Sequence, residues 1–189
     1  VMRCLVCGKW VLTLMCARCY ADLCPSLVVR SLEGVPIYSF YVYEEIEWLI
    51  KSKYQPLGSR VLALLARRCA VQLAPHLPKT TLYGVGIDDH VKRGYAHTAV
   101  ILHALCAALK PYLKAKYNQL KATNPITYAG QSLKFRQENK KNFVFKGDPN
   151  LPYFLVDDIL TTGSTMQQAI ETLKNVGARV VFACTLAHV

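Results

Sequence analysis

No stretch of this 189-residue chain approaches the run of about twenty apolar residues that a membrane-crossing helix needs. Its longest apolar runs, such as residues 61–66, are far shorter. The opening also lacks the basic-then-apolar pattern of a secretory leader, so the cytosol is the expected compartment. No internal repeat or low-complexity tract appears, which argues against a solenoid. Acidic residues are scarce: 12 Asp and Glu stand against 23 Lys and Arg. The shortage is local. Between positions 91 and 147 a single acid, Glu138, faces eleven Lys or Arg, which accounts for +10 of the +11 net charge. Such a lopsided field disfavours basic partners and favours phosphates or nucleic acid.

Cysteine is present in an uneven way. Five of the eight lie within the first 24 residues, and a reduced compartment argues against disulfides. The run CLVCGKWVLTLMCARC holds two Cys-x-x-Cys knuckles, Cys4 with Cys7 and Cys16 with Cys19. Each knuckle aims two sulfurs at one ion, and two knuckles complete a tetrahedral zinc site with no open position for chemistry. Val11, Leu12, Leu14 and Met15 are too few for an independent core, so the metal is expected to supply the folding energy of a module over residues 1–26. Cys24 fits neither knuckle. Cys69, Cys106 and Cys184 stand among apolar neighbours and read as small core residues.

Residues 27–189 alternate strand and helix patterns. Strands are expected at 36–43, 80–87, 153–156 and 178–189, with helices at 44–53, from Ser59 with that serine as cap, from Tyr95 to the stop at Pro111, and at 165–175. Residues 112–130 read as a strand and a loop, and 131–141 as a short basic helix. Alternation of this kind implies an α/β fold, a mostly parallel sheet covered by helices on both faces.

The stretch FLVDDILTTGSTM, residues 154–166, concentrates the chemistry. An apolar strand runs into Asp157 and Asp158, then a turn of Thr161, Thr162, Gly163, Ser164 and Thr165 opens a helix. Hydroxyls and amides around one glycine at a helix start form a cradle for a phosphate. It is not a P-loop, since the lysine and the glycine spacing of that motif are missing. Two carboxylates beside a phosphate need hydroxyl donors or a metal between, and a ribose carries two vicinal hydroxyls near its 5′-phosphate. Asp157 and Asp158 are therefore assigned to the 2′- and 3′-hydroxyls. A carboxylate pair also suits Mg²⁺ in phosphatase chemistry, but no Asp-x-Asp nucleophile or suitably spaced lysine accompanies it. An ordinary strand–turn–helix capped by Ser164 or Thr165 accounts for the hydroxyls but not for the acid pair.

VDDILTTGST resembles the loop that type I phosphoribosyltransferases use for phosphoribosyl pyrophosphate (PRPP). With the tetracysteine head, the KRGY segment and the basic segment at 131–145, the whole chain resembles the ComF family, in particular its ComFC-type competence proteins. The resemblance implies a type I phosphoribosyltransferase-like fold behind a zinc finger. It implies PRPP on Asp157, Asp158 and residues 161–165, with Mg²⁺ bridging pyrophosphate and ribose oxygens. A second loop at Ile87, Asp88 and Asp89, followed by Arg93, would meet the pyrophosphate, and residues 131–141 would cover the site. Here the chain departs from the family, with GVGIDDH and RGYAH in place of prolines and an RGFNQ-like segment. Acids facing a pyrophosphate need metal or water between, which makes Arg93 the better contact of that loop, against the bland reading of one more solvated charge. His97 and His103 lie on an apolar helix and read as structural.

Lys134, Arg136, Lys140 and Lys141 interleave with Phe135, Phe143 and Phe145, a pattern suited to single-stranded DNA, although Phe143 and Phe145 also read as core. The competence likeness points to natural transformation, with DNA handled in the cytoplasm or at the inner face of the membrane and other DNA-processing proteins as partners. No residue set names an acceptor base. Three readings stay open: a PRPP- and DNA-binding competence protein, an active phosphoribosyltransferase, and a PRPP-responsive regulator whose head docks on another protein.

Overall fold

The computed structural model describes residues 1–88, 91, 94–124 and 141–189. The head contributes β1 (Met2–Arg3), β2 (Trp10–Val11) and α1 (Ala17–Asp22). The body begins with β3 (Val28–Leu32), β4 (Val35–Val42), α2 (Tyr43–Lys51), α3 (Gly58–Leu73), β5 (Leu82–Gly86) and α4 (His97–Ala108). It continues through β6 (Leu113–Ala115), β7 (Leu120–Ala122), β8 (Phe143–Phe145), β9 (Pro152–Leu160), α5 (Ser164–Asn175) and β10 (Arg179–His188).

Six strands form one sheet in the order β3-β4-β10-β9-β5-β6, parallel throughout except for the edge strand β3. The α/β expectation holds. Parallel strands need covering on both faces, and two apolar clusters do this. On one face α3 and α4 bury Leu62, Leu65, Leu102 and Leu105 against Phe154, Val156 and Phe182. On the other, α5 buries Met166, Ala169, Ile170 and Leu173 against Leu155 and Ala183. Helix α3 shows the cause in its sequence: Val61, Leu62, Leu65, Ala66, Cys69, Ala70 and Leu73 recur at helical spacing and are all buried. Helix α4 closes on β5 because Gly84 carries no side chain; a Cβ there would stand 2.3 Å from Leu102 and 2.4 Å from Phe154.

Several boundaries differ from the sequence expectation. The helix expected to be capped by Ser59 begins at Gly58, with Leu57 at the cap and no side-chain cap bond. Gly58 lies so close to the Ser52 carbonyl and the Tyr95 hydroxyl that a Cβ would clash with both. Strand β9 does not stop before its acids. It runs on to Leu160 because β10 keeps pairing with it, Asp157 opposite Thr185 and Leu160 opposite His188. On its other side, β5 pairs only as far as Gly86 opposite Val156. Strand β3, absent from the sequence reading, forms a hairpin with β4 through Glu33 and Gly34, both at positive φ. Phe143 and Phe145 lie in β8, paired with β7 in a separate two-stranded ribbon. The stretch read as a basic helix lies outside the described residues, apart from Lys141. Among the described residues no helix is long and apolar enough to cross a membrane.

Candidate functional site

In this sheet the connection β5–α4–β6 leaves in one direction and β9–α5–β10 in the other. The crevice between the carboxyl ends of β5 and β9 is therefore a topological switch point, where open α/β sheets receive ligands. Asp157 and Asp158 lie on the β9 side of it, and Ile87 and Asp88 on the β5 side.

Successive strand residues point to opposite faces, and the two aspartates have different surroundings. Asp157 lines a recess of about 20 Å³ with Ile159, Leu160, Thr161, Gly163, Thr165 and Met166. That is room for about one water. Gly163 caps α5 in the left-handed region at φ 79°, without a side-chain cap bond, and the first turn of α5 holds no acid. Both features leave the helix start favourable to an anion. Gly163 is also packed from behind, since a Cβ there would stand 2.9 Å from Leu32 of the β3–β4 hairpin. The loop is knit by the Thr162 and Ser164 hydroxyls, 3.0 Å apart. Thr161 and Thr162 are exposed, and Ser164 and Thr165 half-buried.

Asp158 turns the other way, to the ammonium of Lys53, with which it forms a largely buried ion pair. Lys53 belongs to the short 3₁₀ turn Ser52–Tyr54 that follows α2. Burial pulls this ammonium down, but the charge and hydrogen bond of Asp158 outweigh it and hold Lys53 above the ordinary lysine value. Asp157 is pushed up to about 7, first by burial and then by the charge of Asp158; the Asp158 N–H, Lys141 and Lys53 pull against this. The unfolded chain releases the Asp157 proton near ~3.9 and the folded chain near 7, so its contribution to stability is full below ~4 and lost as pH rises through 7. Asp157→Asn, which cannot ionise, is expected to be more stable than the parent by about 1–3 kcal/mol at about pH 8 and by less at about pH 5.5, in urea denaturation at both values.

The remaining sequence candidates are placed as follows. Ile87 is buried, and its N–H donates to the Val156 carbonyl at 2.9 Å. Asp88 accepts from the Ala122 N–H at 3.2 Å and stands 3.7 Å from the Lys141 ammonium. Lys141, expected on a DNA-binding surface, is thus beside the crevice and largely buried. Arg93, Lys134, Arg136 and Lys140, with Asp89, lie outside the described residues. His97 packs edge-on against Tyr54 and Tyr95, and His103 meets the Tyr117 hydroxyl at 3.1 Å. Sequence reasoning missed Lys53, which reaches across 105 residues to its partner.

At the other end of the chain the sulfurs of Cys4, Cys7, Cys16 and Cys19 lie within 4.8 Å of one another. Cys7 and Cys16 are 3.7 Å apart, close to the ~3.8 Å that tetrahedral Zn–S bonds of ~2.3 Å impose. Gly8 at φ 73° closes the first knuckle, and Cys16 caps α1, with its sulfur accepting from the Cys19 N–H at 3.4 Å. The backbone N–H groups of Cys7 and Cys16 lower Cys4 to about 6. The four cysteines fit a metal ion such as zinc. Cys24 stays outside the cluster, near Arg68. Cys69, Cys106 and Cys184 are buried, and burial pushes all three thiols up, Cys106 to about 12. They are core residues, as read.

Comparison with known proteins matches residues 152–189 to the Phosphoribosyl transferase domain. That span holds β9, the 161–165 loop, α5 and β10. Adenine phosphoribosyltransferase of Bradyrhizobium sp. (strain ORS 278) is 30% identical over 92 residues, 49% of each chain. Its counterpart in Bradyrhizobium diazoefficiens is 32% identical over the same shares. This chain thus spans about half the length of the curated relatives it matches. Among solved structures, adenine phosphoribosyl transferase from Trypanosoma brucei, in complex with AMP, pyrophosphate and ribose-5-phosphate, aligns at TM-score 0.49 and 14% identity, over 87% of this chain and 86% of that one. A hypoxanthine phosphoribosyltransferase from Staphylococcus aureus aligns at TM-score 0.45 and 17% identity, over 69% and 64%.

Proposed function

We propose that this chain binds PRPP at the carboxyl ends of β5 and β9. The 5′-phosphate lies on residues 161–165, and the ribose hydroxyls face Asp157 and Asp158. The observation that carries this reading is the meeting of Asp157 with Thr161, Gly163 and Thr165 around one recess at an uncapped helix start. The Phosphoribosyl transferase domain match over the same residues supports it. Magnesium would come with the ligand and offset part of its negative charge, as suits an ion that keeps several waters and needs few protein ligands. The crevice fits that role: the described residues contain no cluster of three carboxylates there, and Lys53 already neutralises Asp158. The metal of the tetracysteine head is zinc, in a structural role.

Calorimetry with PRPP and Mg²⁺ tests the reading. The parent is expected to bind, and Asp157→Ala/Asp158→Ala to lose about a hundredfold or more, as two charge-accepted hydroxyl bonds are removed. A parent that releases no heat, or a variant that binds as tightly, overturns it. Adding a panel of bases separates a binder from a transferase. Pyrophosphate release with one base would mean that the ribose C1–oxygen bond breaks as a C1–nitrogen bond forms.

The basic excess between positions 91 and 147 supports a second partner, single-stranded DNA, and with it the competence role. Affinity for a labelled oligonucleotide is expected to fall roughly tenfold or more between about 50 and 200 mM salt. A flat salt response removes this partner.

A further inference from the structure

The Lys53–Asp158 pair is an expensive object. Both side chains are largely buried, at 13% and 16% exposure, and burying an ion pair costs desolvation that an apolar pair avoids. Yet the fold holds it in place by several independent contacts. The Tyr95 hydroxyl donates to the Lys53 carbonyl at 2.7 Å, and the Ser52 hydroxyl to the Leu49 carbonyl at 2.6 Å. The Gln55 N–H closes the turn on the Ser52 carbonyl at 2.7 Å. Gly58 packs so tightly on this turn that a Cβ would stand 2.7 Å from the Lys53 Cα. The ammonium also lies 5.3 Å from the centre of the Tyr54 ring. A lysine has been fixed at the mouth of the crevice, on one of the two acids meant for sugar hydroxyls.

Among the described residues one further cation stands beside the crevice, Lys141, and its ammonium lies 3.7 Å from Asp88 on the β5 side. The recess at the start of α5 is lined by the Asp157 carboxyl, threonine hydroxyls, backbone and apolar groups, with no Lys or Arg among its described residues. Its hydroxyls and backbone suit one phosphate. A pyrophosphate on the same ligand brings several further negative charges, more than one accompanying magnesium offsets, and neither hydroxyls nor the neighbouring carboxylates can balance the rest.

We propose that Lys53 is the residue that binds the second anionic group of the ligand, the pyrophosphate, and that Asp158 is its counter-ion while the site is empty. When the ligand enters, the ammonium passes from Asp158 to a pyrophosphate oxygen, and the carboxylate oxygen it leaves accepts a ribose hydroxyl. The ligand thus replaces both halves of the ion pair, and neither charge is left buried alone. Ribose 5-phosphate, which lacks the second anion, would break the pair without satisfying Lys53. Lys53 is then a specificity residue for the diphosphorylated sugar. The inference rests on the phosphoribosyl reading above.

Calorimetric titration of the full chain with PRPP and, separately, ribose 5-phosphate tests it, on the parent, Lys53→Met and Lys53→Arg. Lys53→Met is expected to lose about thirtyfold or more for PRPP and to stay within about threefold for ribose 5-phosphate, as one charge-assisted bond to the pyrophosphate is lost. Lys53→Arg, which keeps the charge, should recover most of the PRPP affinity. Equal weakening toward both ligands would make Lys53 a support for Asp158 only, and unchanged PRPP affinity would remove it from the site; either result overturns the inference and leaves the phosphoribosyl reading standing. A parent that takes up neither ligand overturns both. Thermal melts of each variant separate lost contacts from lost folding.

Discussion

Chelating the metal unfolds residues 1–24 and leaves the six-stranded sheet intact: this is the expected result on the protein loaded with zinc. The head has little regular structure of its own to hold it. Strands β1 and β2 share two residue pairs, and α1 has six residues, none of them buried. So short a helix does not persist alone in water. Only Cys4 and Met15 of this region are fully buried, while Leu5, Val11, Leu14, Tyr20 and Leu23 pack half-buried against the same cluster. Structural zinc supplies about 10–16 kcal/mol of apparent binding energy in small tetrahedral modules, and that energy is folding energy. Arg68, over the Tyr20 ring at 4.6 Å and bonded to the Ala21 and Leu23 carbonyls, would remain on α3 without its partners. Hydrogen exchange at the Cys16 and Cys19 amides should accelerate by orders of magnitude after chelation, while amides of β9 and β10 keep their protection. Trp10, beneath the Arg3 guanidinium at 4.7 Å, gives an optical readout once Trp48 is replaced by Phe. Cys16→Ser should reproduce the effect and Cys24→Ser should not. Head amides that stay protected without metal would show that packing on α3 suffices.

The second large effect is expected at Gly84, where β5, α4 and β9 come closest. A methyl group there falls within 2.4 Å of both the Leu102 and Phe154 side chains, and both are fully buried. Overpacking of a tight core costs about 1–3 kcal/mol or more, so Gly84→Val is expected to lose about 3 kcal/mol, a large share of the 5–15 kcal/mol that folded domains possess. Phe154→Ala should cost about 3–5 kcal/mol from the opposite side, through a cavity and the lost stack on Phe182 at 5.0 Å. The pair is diagnostic. Gly84→Ala alone destabilises, but in a Phe154→Leu background the added methyl enters vacated space and its cost should shrink by about 1 kcal/mol or more. Urea midpoints of the four proteins measure this. Strict additivity would mean that Gly84 is needed for some reason other than the approach of that ring.

Much of this molecule could be read from one sequence because its signals are local. Two Cys-x-x-Cys knuckles declare their cluster within sixteen residues, and α3 declares its buried face by spacing. The Thr161–Thr165 turn announces a helix start next to a buried strand. The β3–β4 hairpin is legible too, since Glu33-Gly34 between two apolar runs is a turn signal. Other features depend on distant partners. The extension of β9 past Asp157 follows from its register with β10, which no neighbouring residue encodes. Lys53 sits in KSKYQPLG like any surface lysine, and only the fold brings it to Asp158. The two aspartates look equivalent in sequence, yet one lines the recess at the start of α5 and the other meets a cation.

Strand β10 lies between β4 and β9, so Ser39 and Thr185, bonded to each other at 2.8 Å across β4 and β10, are 146 residues apart. During synthesis β4 leaves the ribosome with only β3 beside it, and its inner edge stays unpaired until β10 has emerged. The nascent protein therefore carries an open strand edge on β4 until β10 has been made, and the sheet closes only after the ribosome has passed residue 188. Slow decoding late in the message would lengthen that exposure, and a chaperone bound to the β3–β4 hairpin would shield it.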